Sequence, residues 1–412
     1  MTRTAEVVVV GSGIIGSSIA YQLARHEVGN VVALDKGRGP SEGSTGASSS
    51  IVRCRYTHPE VVRLAYHGQE SYGNWAEFTG LSEVRSGLQR LGVLWLMGEQ
   101  ADKVESDAAK LVSQDVDAKA IGPDEVTSMF PALSPCGVPF DLEDPDEHVC
   151  EPGDAFLFET GGGYADPGGA NQDLIEAARE RGVAVEFNSQ VTAVLRGNGR
   201  VTGVRLSDGS EISAGLVINA SGPWCNQLNE LAGAHLRWTL TPTRVQTVYR
   251  TWPADLGPLP VAADNSTGIY FRPQSGGQQV IIGSVLAEDE EEIVDDPDDF
   301  KRVPDADFTE IKLAAFQHRV PALTTRGQVS GVAGLYTINR EDVHPVVGPS
   351  GVDGFWVANG FSGHGFKLAP AVGSMVAQAF TGQSMVFDTD VPMSFFSVDR
   401  EPIDMAVKNV LA

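Results

Sequence analysis

Cysteine, basic charge and long apolar runs are all scarce in this sequence, and each shortage closes off a class of protein. The four cysteines (Cys54, Cys136, Cys150 and Cys225) among 412 residues show no Cys-x-x-Cys spacing. They read as reduced thiols, with neither a disulfide framework nor a zinc site expected. Lysine and arginine number 30 against 54 aspartates and glutamates, a formal net charge of -24. So acidic a chain lacks the basic footprint that phosphate backbones require, which excludes nucleic acid as a partner. The apolar runs are strand-sized, so neither a membrane-spanning segment nor a membrane partner is expected. The first strand begins too near the N-terminus to leave room for a signal peptide, which points to the cytoplasm. No repeat of solenoid or propeller period is visible. The densest acidic run, from Glu288 to Asp299, lacks EF-hand spacing and reads as a solvated loop.

What the chain has in quantity is glycine, 46 residues, and the most informative come first. The run Val7-Val-Val-Val10 breaks into Gly11-Ser-Gly13-Ile-Ile-Gly16, and residues 17–25 continue as a helix. Gly11 permits the tight turn, Gly13 lets a pyrophosphate approach the backbone, and Gly16 lets helix and strand pack closely. A second apolar strand, Val31–Leu34, ends in Asp35, where a ribose-binding carboxylate belongs. This is the pattern of a dinucleotide site.

With 42% hydrophobic residues, the chain can bury a large core and form two domains. Residues 59–80 carry Val62, Ala65, Tyr66, Tyr72, Trp75 and Phe78 at helical spacing, which predicts a helix turning an aromatic face to the core. Residues 91–97 read as a strand and 101–119 as an exposed helix. A helix over 173–181 precedes short strands near 183–187, 191–195 and 201–206, and a buried strand over 216–222. Residues 240–285 are rich in strand-type alternation, and the chain closes with a strand at 354–360 and a helix over 369–380. Nucleotide-type elements thus occur early, in the middle and late, so the dinucleotide domain is discontinuous.

Five segments carry a resemblance. They are residues 9–16; Gly-Ser-Thr-Gly-Ala-Ser-Ser-Ser-Ile-Val-Arg at 43–53; Val-Ile-Asn-Ala-Ser-Gly-Pro-Trp at 217–224; Arg-Glu-Asp-Val-His-Pro-Val-Val-Gly at 340–348; and Asn-Gly-Phe-Ser-Gly-His-Gly-Phe-Lys at 359–367. Together they resemble the FAD-dependent amine oxidoreductases of the D-amino-acid-oxidase superfamily, and within it the sarcosine oxidase and dimethylglycine oxidase branch. The resemblance implies an α/β fold with a discontinuous Rossmann-like FAD-binding domain (1–85, 150–232, 326–412) and a β-sheet-rich α+β substrate domain (86–149, 233–325).

The resemblance also implies roles. Gly11, Gly13, Ile14, Ile15, Gly16, Asp35 and Lys36 hold the pyrophosphate and adenosine ribose, and Ser44 and Thr45 reach the ADP half. Val191 meets adenine through its backbone, while Ala220, Gly222 and Trp224 line the cofactor further along. Gly363, His364, Gly365, Phe366 and Lys367 wrap the flavin ring. Arg53 and Lys367 bind the substrate carboxylate, and Tyr270 closes the site. His344 and His364 lie near the flavin in hydrogen-bonding roles.

Gly334-Leu-Tyr-Thr337 lacks the tethering cysteine of monomeric sarcosine oxidases, and Gly43–Ser50 lacks the tethering histidine of dimethylglycine enzymes. The FAD is therefore expected to be non-covalent. Isoleucine stands where those oxidases place an oxygen-activating lysine, in Gly276-Gly-Gln-Gln-Val-Ile-Ile-Gly283, so oxygen and another electron acceptor both stay open. The reaction implied is oxidation of a secondary or tertiary amino acid through an imine to an aldehyde or keto acid plus amine. Alternatives are oxidation of glycine, a D-amino acid or a 2-hydroxy acid, or service as the FAD subunit of a hetero-oligomeric sarcosine oxidase-type complex.

Overall fold

The structure is a computed structural model, and it describes residues 3–140, 148–323, 327–405, 408 and 411. The strand Arg3–Val10 buries all four of its valines, as a strand covered on both faces must. It pairs in parallel with Val31–Leu34 on one side and Glu211–Asn219 on the other. Parallel strands Ala184–Glu186 and Phe355–Asn359 extend this sheet, with Val346–Pro349 antiparallel at its edge. The antiparallel strands Val191–Gly197 and Arg200–Leu206 branch from Glu211–Asn219 to complete eight. Side chains alternate along the first strand. Val7 and Val9 pack with the helices Ile14–Arg25, Pro167–Glu180 and Gly365–Thr381, whereas Val8 and Val10 pack towards Val194, Val204 and the helix Cys225–Ala232.

A second eight-stranded sheet runs in the order 329–339, 240–251, 279–284, 269–274, 261–264, 93–96, 156–159, 118–121. All its neighbours are antiparallel except Val261–Asp264 with Val93–Leu96. The same two-residue period sorts its faces. Leu94, Ala262, Phe271 and Ile282 pack with Phe308, Ala315 and Phe316 of the helix Ala306–Arg319, while Val93, Trp95, Ala263 and Tyr270 face the first sheet's helices. The architecture is α/β, a Rossmann-like layer joined to a β-rich layer. Strand Val329–Asn339 starts within the span expected of the FAD-binding domain, yet it bonds along the full length of Leu240–Thr251 in the second sheet.

Three elements differ from the sequence reading. The helix expected over 101–119 stops at Val112, and Ala118–Ile121 becomes an edge strand. Asp115 takes a positive φ of 67° between them, and the helix buries Val104, Ala108 and Leu111, so it is amphipathic. The acidic run is no simple solvated loop. Asp289 pairs with Lys312 at 2.7 Å and Glu292 with Arg244 at 2.7 Å, both cations being nearly fully buried. Buried cations require counter-charges, and this run supplies them.

The last helix begins at Gly365, earlier than expected, and carries Pro370 inside it. Proline has no N–H to return to the Phe366 carbonyl, and Tyr72 fills the gap by donating its hydroxyl to that oxygen at 2.9 Å. Tyr72 also stacks between Trp75 and Phe366, with centroids at 4.8 and 4.9 Å. The aromatic face of residues 59–80 thus reaches the core and braces this helix. Tyr72→Phe is expected to cost about 1–3 kcal/mol in chemical denaturation, the penalty of an unsatisfied buried carbonyl. Adding Pro370→Ala is expected to recover part of that loss by supplying an N–H. An unfolding midpoint unmoved by Tyr72→Phe would show that the carbonyl has another partner.

Candidate active site

At the carboxyl ends of the first sheet's parallel strands lies a cleft of about 370 Å³, the usual ligand position in open α/β sheets. Gly11 has φ +102°, and a Cβ there would stand 2.4 Å from the Ala220 carbonyl oxygen. Gly13 caps the first helix without a side-chain acceptor, so the cleft is bordered by a helix N-terminus that favours anions. Thr45 Oγ1 accepts the Ile14 N–H at 3.0 Å. The Asp35 carboxylate accepts the N–H groups of Ser12 and Gly37, each at 2.7 Å. Lys36 pairs with Asp298 and holds its ammonium 4.1 Å from the Trp224 ring centroid.

Gly11, Gly13, Ile14, Ile15, Asp35, Lys36, Ser44, Thr45, Val191, Ala220, Gly222, Trp224, Gly363, Gly365 and Phe366 all line this cleft. Gly16 does not. A Cβ on it would lie 1.8 Å from the Gly11 carbonyl oxygen, so it serves the contact between helix and strand. His364 also stays outside the lining. It is buried against Tyr56, whose hydroxyl lies 3.1 Å from Nδ1. Burial first, then the neighbouring Lys367 and Arg53, holds its pKa well below the usual value, which favours the neutral ring. His344 is likewise buried and fixed by the Asp342 carbonyl at 2.7 Å.

A second cavity of about 40 Å³ adjoins the cleft, sharing Ser48, Tyr336, Gly363 and Phe366 with it. Arg53, Lys367, Trp95 and Tyr270 line it. Residues separated by most of the chain therefore meet: Arg53 follows the short strand Ile51–Val52, Lys367 opens the last helix, and Tyr270 comes from the second sheet. The Arg53 guanidinium sits 4.2 Å from the Tyr56 ring centroid and 5.2 Å from that of Trp95. Burial first, and Arg53 second, pull the Lys367 pKa well below its ordinary value. Burial raises that of Tyr270, whose hydroxyl bonds Ser49.

Behind this cavity stands Glu159, fully buried, a residue the sequence reading missed. It accepts the Cys54 N–H at 2.6 Å, the Arg55 N–H at 3.2 Å and Trp95 Nε1 at 2.8 Å. Burial raises its pKa against these bonds and the Arg53 charge. Glu159 thereby braces both the turn that presents Arg53 and the indole beside it. Its signal was a lone carboxylate closing the apolar run Phe156-Leu-Phe. Trp95 and Tyr336 were missed because a strand's apolar pattern does not say which face meets a ligand.

Residues 6–379 match the family model described as DAO, FAD dependent oxidoreductase. FAD-dependent oxidoreductase domain-containing protein 1 of Xenopus laevis is 29% identical, over 91% of this chain and 78% of that protein. Human mitochondrial dimethylglycine dehydrogenase is 26% identical over 90% of this chain and 42% of its own length. Glycine oxidase of Pseudomonas putida is 26% identical over 93% and 96%. Among solved structures, L-proline dehydrogenase from P. horikoshii superposes with a TM-score of 0.78 at 25% identity, covering 97% of this chain and 98% of that one.

The cleft fits the cofactor this family uses. Among the described residues, the buried Ser12 Oγ, Ser44 Oγ and Trp224 Nε1 have no hydrogen-bond partner, and all three residues line the cleft. Buried polar atoms left unpaired in a native protein call for a ligand or water, and a nucleotide's phosphates and hydroxyls satisfy such groups. Asp35→Ala is expected to weaken FAD binding by roughly 10–100-fold, the value of hydrogen bonds to a charged acceptor. Flavin fluorescence titration of the apoprotein measures it, and unchanged affinity would remove Asp35 from the cofactor site.

Proposed function

The chain belongs to the DAO family of FAD-dependent oxidoreductases, and we propose that it oxidises the carbon–nitrogen bond of a small secondary or tertiary amino acid. The observation that carries this reading is the meeting of Arg53 and Lys367 in a cavity that opens onto the cofactor cleft. Arginine offers a planar fork and lysine a point charge, and together they fix a carboxylate's position and orientation. Bound FAD supplies the acceptor for the two electrons and the hydrogen leaving the carbon beside nitrogen. Trp95, Tyr270 and Tyr336 exclude water and wall the substrate's alkyl groups.

Among the described residues no Asp or Glu lines the small cavity, since Glu159 lies behind it. A bare ammonium would need such a partner, so the lining favours an amine bound in its neutral form. The imine formed then takes up water to give an aldehyde or keto acid and an amine. Three of the relatives carry an amino acid in their names, dimethylglycine, proline and glycine, and in the first two the nitrogen is alkylated. No cysteine or histidine lines the described part of the cleft, which supports FAD held without a covalent bond.

Anaerobic titration of the yellow holoenzyme tests the reading. Sarcosine, dimethylglycine or proline is expected to bleach the flavin absorbance faster than glycine, D-alanine or a 2-hydroxy acid. Faster bleaching by a primary amine or a hydroxy acid would overturn it. Arg53→Met is expected to raise KM for the best substrate by roughly 10–100-fold, with the flavin spectrum intact.

Lys367 supplies a second check through pH. Burial favours its neutral form in the free enzyme, whereas a bound carboxylate favours the charged form. Affinity for acetate, whose own charge is constant at neutral pH and above, should therefore fall as pH rises through the depressed Lys367 value. Lys367→Met is expected to flatten that dependence, and a slope that survives the substitution would assign it to another group.

A further inference from the structure

On the far side of the second sheet from the cleft, the chain gathers a group of side chains that the flavin chemistry does not use. Cys136, His148 and His318 each offer a ligand atom, and these atoms lie within 4.8 Å of one another. Cys136 Sγ is 3.4 Å from His148 Nε2. Tetrahedral zinc, with bonds of about 2.3 Å to sulfur and 2.0–2.1 Å to nitrogen, sets neighbouring sulfur and nitrogen ligands about 3.5 Å apart. The pair already stands at that edge length. The Cys150 thiol hydrogen-bonds that of Cys136 and lies 3.5 Å from Ser134 Oγ, at the open side of the group.

The scaffold around these ligands is built from both sides. Gly137 N–H donates to the Glu151 carbonyl at 2.9 Å and Gly153 N–H to the Pro135 carbonyl at 3.0 Å, with Cys136 bridged to Pro152. This short ladder sets Cys136 beside the stretch that carries His148 and Cys150. Arg319, fully buried at the end of the helix Ala306–Arg319, donates to the carbonyls of Ser134 at 3.1 Å and Cys136 at 2.6 Å. Its other nitrogens bond the Asp264 carboxylate and Ser266 Oγ. The loop that holds Cys136 is thus pinned to the helix end that presents His318. Phe140 stacks on the His318 ring with centroids 4.0 Å apart and sets its edge against His148. His318 Nε2 is buried with no hydrogen-bond partner.

We infer that Cys136, His148 and His318 bind a zinc ion, with Cys150 as the fourth ligand, as a structural clasp between the stretches 134–140 and 148–153 and the helix Ala306–Arg319. Thiolate and imidazole select zinc over the oxygen-seeking magnesium and calcium. Binding deprotonates the two thiols and releases their protons to solvent. A closed four-ligand set leaves no position for substrate, so the ion's role is to hold structure.

The test uses the FAD-loaded full chain, reduced with a phosphine, stripped of metal by a chelator, and titrated with Zn²⁺ against a chromophoric competitor and separately with Co²⁺. One Zn²⁺ per chain is expected, together with a thiolate-to-cobalt charge-transfer band and an unchanged flavin spectrum. Cys136→Ser and His318→Gln are each expected to abolish that band and weaken Zn²⁺ by roughly tenfold or more. The band in the parent protein needs no variant, so it decides the matter even if a substitution misfolds. Binding without the band, or equal in parent and Cys136→Ser protein, would show only the acidic surface collecting cations and would overturn the inference. A Cys136–Cys150 disulfide whose reduction yields no Zn²⁺ binding would overturn it too.

Discussion

Two cations buried side by side, Arg53 and Lys367, are the constraint around which the active site is arranged. Both are held out of water, and among the described residues no Asp or Glu lines the cavity with them. The structure faces the Arg53 guanidinium with the rings of Tyr56 and Trp95, lets it donate to the Arg55 carbonyl, and keeps Glu159 one layer back. Lys367 yields instead, its burial favouring the neutral amine. A cavity so poised gains most from a ligand that brings its own negative charge, which is the physical content of recognising a carboxylate.

The rest of the fold serves close approach. Gly68 is tolerated in its helix because the Lys367 carbonyl would lie 2.0 Å from any Cβ there. Gly373 and Ser18 make the corresponding contact between the first and last helices, reinforced by Ser18 Oγ donating to the Ala369 carbonyl at 2.7 Å. These contacts seat the last helix against the first, so that Gly363, Gly365 and Phe366 reach the cleft from one side while Gly11–Ile15 border it from the other. Tyr72 makes the arrangement tolerate Pro370.

Much of this could be seen in the chain before folding. The Gly11–Gly16 turn, Asp35, and the run 359–367 carry their own chemistry, because backbone conformation and phosphate approach depend on glycine at short, local spacing. The aromatic face of residues 59–80 was legible for the same reason, since helical period is a local property. The acidic stretch 288–299 was not. Its partners Arg244 and Lys312 are distant in sequence, and composition alone describes it as solvated. Glu159 was equally silent, because one carboxylate at the end of an apolar run acquires meaning only from the turn it braces.

By itself, the sequence determined the nucleotide-binding layer, the family, and FAD as the cofactor, since each rests on residues that act through neighbours a few positions away. Only the tertiary structure decided which face of the second sheet looks into the site, placing Trp95 and Tyr270 inward and Leu94 and Phe271 outward. It alone set Glu159 behind Arg53 and brought Cys136, His148 and His318 within reach of one ion. A strand's alternation defines two faces but not which one meets a ligand, and His318, far along the chain from Cys136 and His148, shares no spacing with them for a sequence to display.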